Sequence, residues 1–113
     1  MKLAVWLLAA NAVFAQGVWE RRAPYPVRAT EVSAAALNGK IYALCGILPD
    51  NSNDTGLHIY DPARDEWSEG PSIPIPAGAD HCNVAAAAGK LYLVGAMRTG
   101  QPFLDGNTYE YDP

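Results

Sequence analysis

The side chains in this sequence best suited to chemistry are two cysteines, Cys45 and Cys82, and two histidines, His58 and His81. Cysteine and histidine hold a metal when three or four of them converge at set spacings, and here the histidines fall on different expected strands, so no spaced metal motif exists. No Gly-x-Ser-x-Gly, phosphate loop or His-Glu-x-x-His occurs, which removes the usual footing for a hydrolase or nucleotide enzyme. Neither metal nor cofactor is expected, and the reading leans against an enzyme. An even cysteine count invites a disulfide in an oxidising compartment. The competing reading, adopted here, is two small buried apolar residues with free thiols, Cys45→Ser then costing about 1–3 kcal/mol. Asn53-Asp54-Thr55 is a glycosylation sequon, meaningful only in a eukaryotic secretory pathway.

The first fifteen residues, MKLAVWLLAANAVFA, carry one early cation, an apolar run and small residues at the end. That is the pattern of a signal peptide cleaved before Gln16, and the apolar run falls short of the roughly 20 residues a membrane span needs. A buried N-terminal helix is the competing reading. Export to a periplasm or an extracellular fluid is expected, as a mature chain of net charge −5. No cluster of Lys or Arg is present, so a nucleic-acid partner is not expected. Ten Gly and nine Pro in 113 residues point to strands and turns rather than a helical bundle.

The elements that must position these groups are written twice. KIYALCG at 40–46 returns as KLYLVGA at 90–96. Gly39-Lys40 and Tyr42 match Gly89-Lys90 and Tyr92 at a spacing of 50; Trp19 matches Trp67 at 48, and Tyr60-Asp61-Pro62 matches Tyr111-Asp112-Pro113 at 51. Each unit reads as short strands. TEVSAAAL (30–37) and HCNVAAAA (81–88) are first strands, joined through Asn38-Gly39 and Ala88-Gly89 to second strands. Asn-Gly suits a type I′ turn, where both central residues need positive φ. GLHIYDP (56–62) and EWSEG (66–70) are the third and fourth strands. A helix over 84–88 competes, but five residues are too few to nucleate one.

These landmarks resemble the kelch repeat, the roughly 50-residue blade of a β-propeller family. The resemblance covers about residues 19–113 and rests on turn glycines Gly39 and Gly89, on Tyr60 and Tyr111, and on Trp19 and Trp67. Where the family has Gly-Gly, this chain has Cys45-Gly46 and Gly95-Ala96. The resemblance implies an all-β fold of four-stranded antiparallel blades, here a partial propeller of about two. Its kelch region spans 16–113: a leading fourth strand at 19–27, a complete blade at 28–71 and a partial blade at 77–113. Alanines 34–36 and 85–88 suit the crowded inner strands, and both tryptophans are expected in the core between blades. Galactose oxidase-like enzymes share the propeller, but their ligands come from blades that cannot be mapped here; sialic acid mutarotases are a second such group.

Two blades do not close a ring, since propellers have typically four to eight. Either the sequence is a piece of a longer propeller, the reading preferred, or three copies assemble with each Trp19 strand completing a neighbour's blade. Topology then places the loops 47–56 and 97–107 on one rim with the strand starts around Arg28, Glu31, Asp80 and His81, and Arg98 lies in the second loop. Polar groups on such a rim suit a protein or carbohydrate ligand. The expected function is an exported binding scaffold; the alternative is a fragment of a secreted propeller enzyme acting on sugars.

Overall fold

The computed structural model describes residues 17–100 and 106–113, so the expected signal peptide lies outside the described residues. What is described is all strand and turn, in two antiparallel sheets. The first has the order β1-β2-β3-β4, with β1 Ser33–Leu37, β2 Lys40–Leu44, β3 Leu57–Asp61 and β4 Glu66–Glu69. The second has the order β5-β6-β7, with β5 Asn83–Ala87, β6 Lys90–Val94 and β7 Thr108–Tyr111. No helix among the described residues is long and apolar enough to cross a membrane.

The inner hairpins form as their turns dictate. Asn38 (φ 50°) and Gly39 (φ 75°) both take the left-handed conformation, and Ala88 (φ 48°) and Gly89 (φ 77°) repeat it. Two left-handed residues make the tight turn whose twist matches that of the flanking strands. It fixes Leu37 opposite Lys40 in one sheet and Ala87 opposite Lys90 in the other. From these register points, strand alternation sends Tyr42, Leu44 and Leu57 to one face and Ala43, His58 and Tyr60 to the other.

The core lies between the sheets. Tyr42, Leu44 and Leu57 of the first sheet meet Leu91 and Leu93 of the second, with Ile73 and Ile75 of the connecting segment filling the wedge. Beneath them, β1 runs beside β5. Ala34, Ala36 and Ala85 to Ala88 are exposed on the inner strands, so the crowding expected around a propeller axis is not met in a stack of two sheets.

Three expectations are corrected. Cys45 and Cys82 are joined by a disulfide and are not free thiols. Cys45 follows β2 and Cys82 precedes β5, so the bridge ties the same end of both sheets, and neither free cysteine nor spare thiol remains. Residues 19–27 hold no strand, and Trp19 is fully exposed rather than in the core. A fourth strand exists by pairing with a third strand, and β3 already has β4 in that place. Trp67 does pack. It is half-buried in β4, its ring 5.1 Å from both Tyr60 and Tyr25, and its indole N–H donates to the Ala23 carbonyl at 3.1 Å.

Candidate functional site

Each hairpin is extended past its named strands by single bridges, Thr30 to Ile47 in the first sheet and Asp80 to Met97 in the second. Ile47 also bridges to Asn53, which folds the loop after β2 back over the junction between the sheets. Gly46 makes this approach possible. A Cβ there would stand 2.8 Å from the Thr30 carbonyl oxygen, and φ is 131°. One residue along, Glu31 (φ 56°) and His81 (φ 48°) occupy equivalent positions in the repeat, both left-handed. Non-glycine residues seldom adopt that conformation, and here it turns both side chains out of the strand path at the same height.

The loop Asn53 is the keystone of the junction. Buried, it donates through Nδ2 to Asp80 Oδ2 at 2.8 Å and to the Gly46 carbonyl at 3.3 Å. Its Oδ1 accepts from the Thr99 N–H at 3.1 Å, and the Thr99 hydroxyl donates to Asp80 Oδ2 at 3.0 Å. Asp80 is thus 2% exposed but well supplied with donors. Its other oxygen lies 2.6 Å from His81 Nδ1, and His81 Nε2 lies 3.3 Å from Glu31 Oε2. A chain of charge-assisted contacts therefore runs Asn53–Asp80–His81–Glu31 across the two sheets. Its inner half is buried, while His81 and Glu31 remain about half exposed.

The electrostatics follow from that chain. Burial alone would raise the Asp80 carboxyl, but hydrogen bonds from His81, Asn53 and Thr99 hold it below the ordinary carboxylate value. The hydrogen bond to Asp80, and then the Glu31 charge, raise the His81 imidazole above its usual value. A second acid–histidine pair lies deeper: His58 Nε2 is 2.8 Å from Asp54 Oδ2, and the Tyr25 ring meets His58 edge-on at 5.3 Å. Burial and the Asp54 charge push the Tyr25 hydroxyl up to about 12. The Tyr25 hydroxyl and His58 Nδ1 are both buried without a hydrogen-bond partner.

Of the five residues expected on the binding rim, the structure brings Glu31, Asp80 and His81 into contact. Arg28 stands apart, lining an open groove of about 590 Å³ with Tyr25, Leu48, Pro49 and Asn51. Arg98 is half-buried beside Met97 and joins none of the cluster's contacts. Asn53 and Thr99 were missed as members of the network. Asn53 drew notice only as a sequon, yet its amide is committed to buried acceptors that a glycan would displace. Among the described residues no group of three or more His, Cys, Asp or Glu converges as a metal site would require.

Antiparallel sheets of four and three strands, repeated at about 50 residues with their inner strands side by side, fit one whole and one partial blade of the β-propeller class. Residues 28–74 match the Kelch motif. The chain is 33% identical over 85 residues to Kelch-like protein terF of Aspergillus terreus, covering 72% of this chain and 18% of that protein. It is 35% identical over 93 residues to the human Kelch repeat and BTB domain-containing protein 12, with 73% and 15% covered. The human Kelch-like protein 33 is 34% identical over 98 residues, with 84% and 17% covered. The chain belongs to the kelch-repeat family, and it spans less than a fifth of the length of these relatives.

Proposed function

We propose that this chain is an exported binding scaffold whose kelch blades present one rim, built from residues 28–31, 47–53, 80–81 and 97–99, to a protein partner. The observation that carries this reading is the Asn53–Asp80–His81–Glu31 chain. Its buried members hold the backbone of both sheets and the intervening loop in one arrangement, while its outer members offer an imidazole and a carboxylate to solvent. Such preorganisation lowers the ordering cost of binding. The neighbouring groove around Arg28 and Asn51 is open, which suits a polypeptide segment, whereas small-molecule sites bury most of their ligand.

Export is supported by the leader-like first fifteen residues and by the Cys45–Cys82 bridge, since disulfides persist in oxidising compartments. Protein released by a native-like host should begin at Gln16, read by mass spectrometry. A photo-crosslinker at Glu31 or Asn51 should yield one discrete polypeptide adduct in the exported fraction, competed by excess unlabelled chain. The same group at Arg64, in the exposed β3–β4 turn, should not. Equal adducts at both places, or saturable binding to glycans with no polypeptide adduct, would contradict the reading.

A further inference from the structure

The Cys45–Cys82 bridge and the rim network meet residue by residue. Cys45 directly precedes Gly46, whose carbonyl accepts from the Asn53 side chain at 3.3 Å and from the Asp54 N–H at 3.0 Å. The Gly46 N–H in turn donates to the Ala79 carbonyl at 2.8 Å. Cys82 directly follows Asp80 and His81, and its carbonyl accepts from the Ser33 hydroxyl of β1. Each half of the bridge is therefore one residue from a group that the network uses.

The repeat shows what the backbone requires at this place. Gly95 stands to Cys45 at a spacing of 50 and takes φ 65°, against 63° for Cys45. Glycine enters the left-handed region at no steric cost, whereas a residue with a Cβ persists there only where its surroundings hold it. His81, beside the other half of the bridge, is left-handed as well. With the bridge closed, Cys45 is held from the second sheet, and the peptide after it aims Gly46 at Ala79 and Asn53. With the bridge open, no covalent link opposes relaxation of Cys45 towards the extended region, and the loop carrying Asn53 turns with it. Cys45 is fully buried and Cys82 nearly so, which shields the bridge once it has closed.

We infer that closing this bridge is what assembles the rim, so that the proposed binding scaffold, on which this inference rests, becomes competent only after oxidation. In the closing step the two thiols give up two protons and two electrons to an incoming disulfide, which leaves as a dithiol while the Sγ–Sγ bond forms. The inner hairpins depend on their own turns and ladders, so the reduced chain keeps its strands and lacks its rim.

Coupling is reciprocal, so it is tested from both sides. In hydrogen exchange of the full 113-residue chain, reduction should speed the Asp54 and Thr99 amides at least about tenfold and leave those of β2 and β3 little changed. In equilibrium with a dithiothreitol buffer, Asn53→Ala should make the bridge at least about fivefold easier to reduce. Trp67→Ala, which weakens the outer strand of the first sheet, should leave that equilibrium within about twofold. Cys45→Gly with Cys82→Ser supplies the left-handed residue without the bridge, and should protect the Asp54 amide better than Cys45→Ser with Cys82→Ser. Should both of these chains fail to fold, the dithiothreitol equilibrium of Asn53→Ala decides. Equal shifts for Asn53→Ala and Trp67→Ala, or unchanged exchange at Asp54 and Thr99 after reduction, would overturn the inference. A photo-crosslinker at Glu31 should capture its polypeptide in the oxidised chain alone, and equal capture by the reduced chain would overturn it too. The exchange and equilibrium readouts use no partner: if both come out as expected and neither chain captures a polypeptide, the scaffold reading fails and the coupling stands.

Discussion

The two sheets are near copies in their inner hairpins and differ at their outer strands. In the first, Asp65 accepts from the Ala23 N–H at 2.8 Å and from the Tyr60 hydroxyl at 2.6 Å, and Trp67 closes the stack over Tyr60 and Tyr25. In the second, the same region is the groove between Ile73 and Tyr111. The inner hairpin needs only its own ten or so residues and a left-handed turn, so it forms in both. The outer seal needs a tryptophan, a tyrosine and a connecting segment from more than 40 positions away, as between Ala23 and Trp67. Among the described residues the local instructions are carried out twice, and the long-range seal is seen in the first sheet.

The strongest way to break the relation between the sheets is to open the bridge that ties them. Reducing Cys45–Cys82, or replacing both cysteines by serine, releases a loop with a sequence separation of 37. The chain-entropy argument puts the loss at about 3–4 kcal/mol, which urea unfolding with and without reductant will measure. A loss under about 1 kcal/mol would mean that the bridge constrains little.

Next comes the tryptophan pair. Trp67→Ala should cost about 2–4 kcal/mol, somewhat less than a fully buried ring because Trp67 is half exposed. Trp19→Ala, measured on dilute chain, should fall within about 0.5 kcal/mol of the parent. Equal effects would erase the distinction between a seated and an unseated tryptophan.

A smaller change makes the sheets more alike. Ala88 holds φ 48° where its counterpart is Asn38, and asparagine tolerates the left-handed region better than alanine. Ala88→Asn should stabilise the chain by about 0.5–1 kcal/mol in the same unfolding assay. Smallest is the pH effect at the rim. The His81 imidazole is raised in the fold, so its contribution is complete below its unfolded value near 6.5 and is lost as pH rises through the folded value. A His81→Gln chain should lack that decline in unfolding midpoint on the alkaline side, and an unchanged profile would show that the Asp80–His81–Glu31 contacts contribute nothing.

Strands and turns were legible because their signals are local: Asn38-Gly39 names its turn, and alternation in KIYAL names its faces. The fate of Trp19 was not legible, because a tryptophan reads as core wherever it stands, and only the partner strand decides. The disulfide was underweighted for a related reason. Cys45 occupies the place of a family glycine and holds φ 63°, an unusual conformation for a merely buried cysteine, and no letter of the sequence reports φ. That Glu31, Asp80 and His81 lie close together was legible because they flank strand starts on one rim. Asn53 and Thr99 were not, since uncharged groups 46 residues apart advertise no pairing until the loop after β2 folds back.

The comparison is tested most directly by hydrogen exchange of β3 against β7, read peptide by peptide in dilute chain. Residues 57–61 lie between two strands and residues 108–111 are outermost among the described residues, so in this 113-residue chain β3 should exchange more slowly than β7. Equal protection of the two strands would contradict the account of a first sheet whose β3 is covered by β4 and sealed by Trp67.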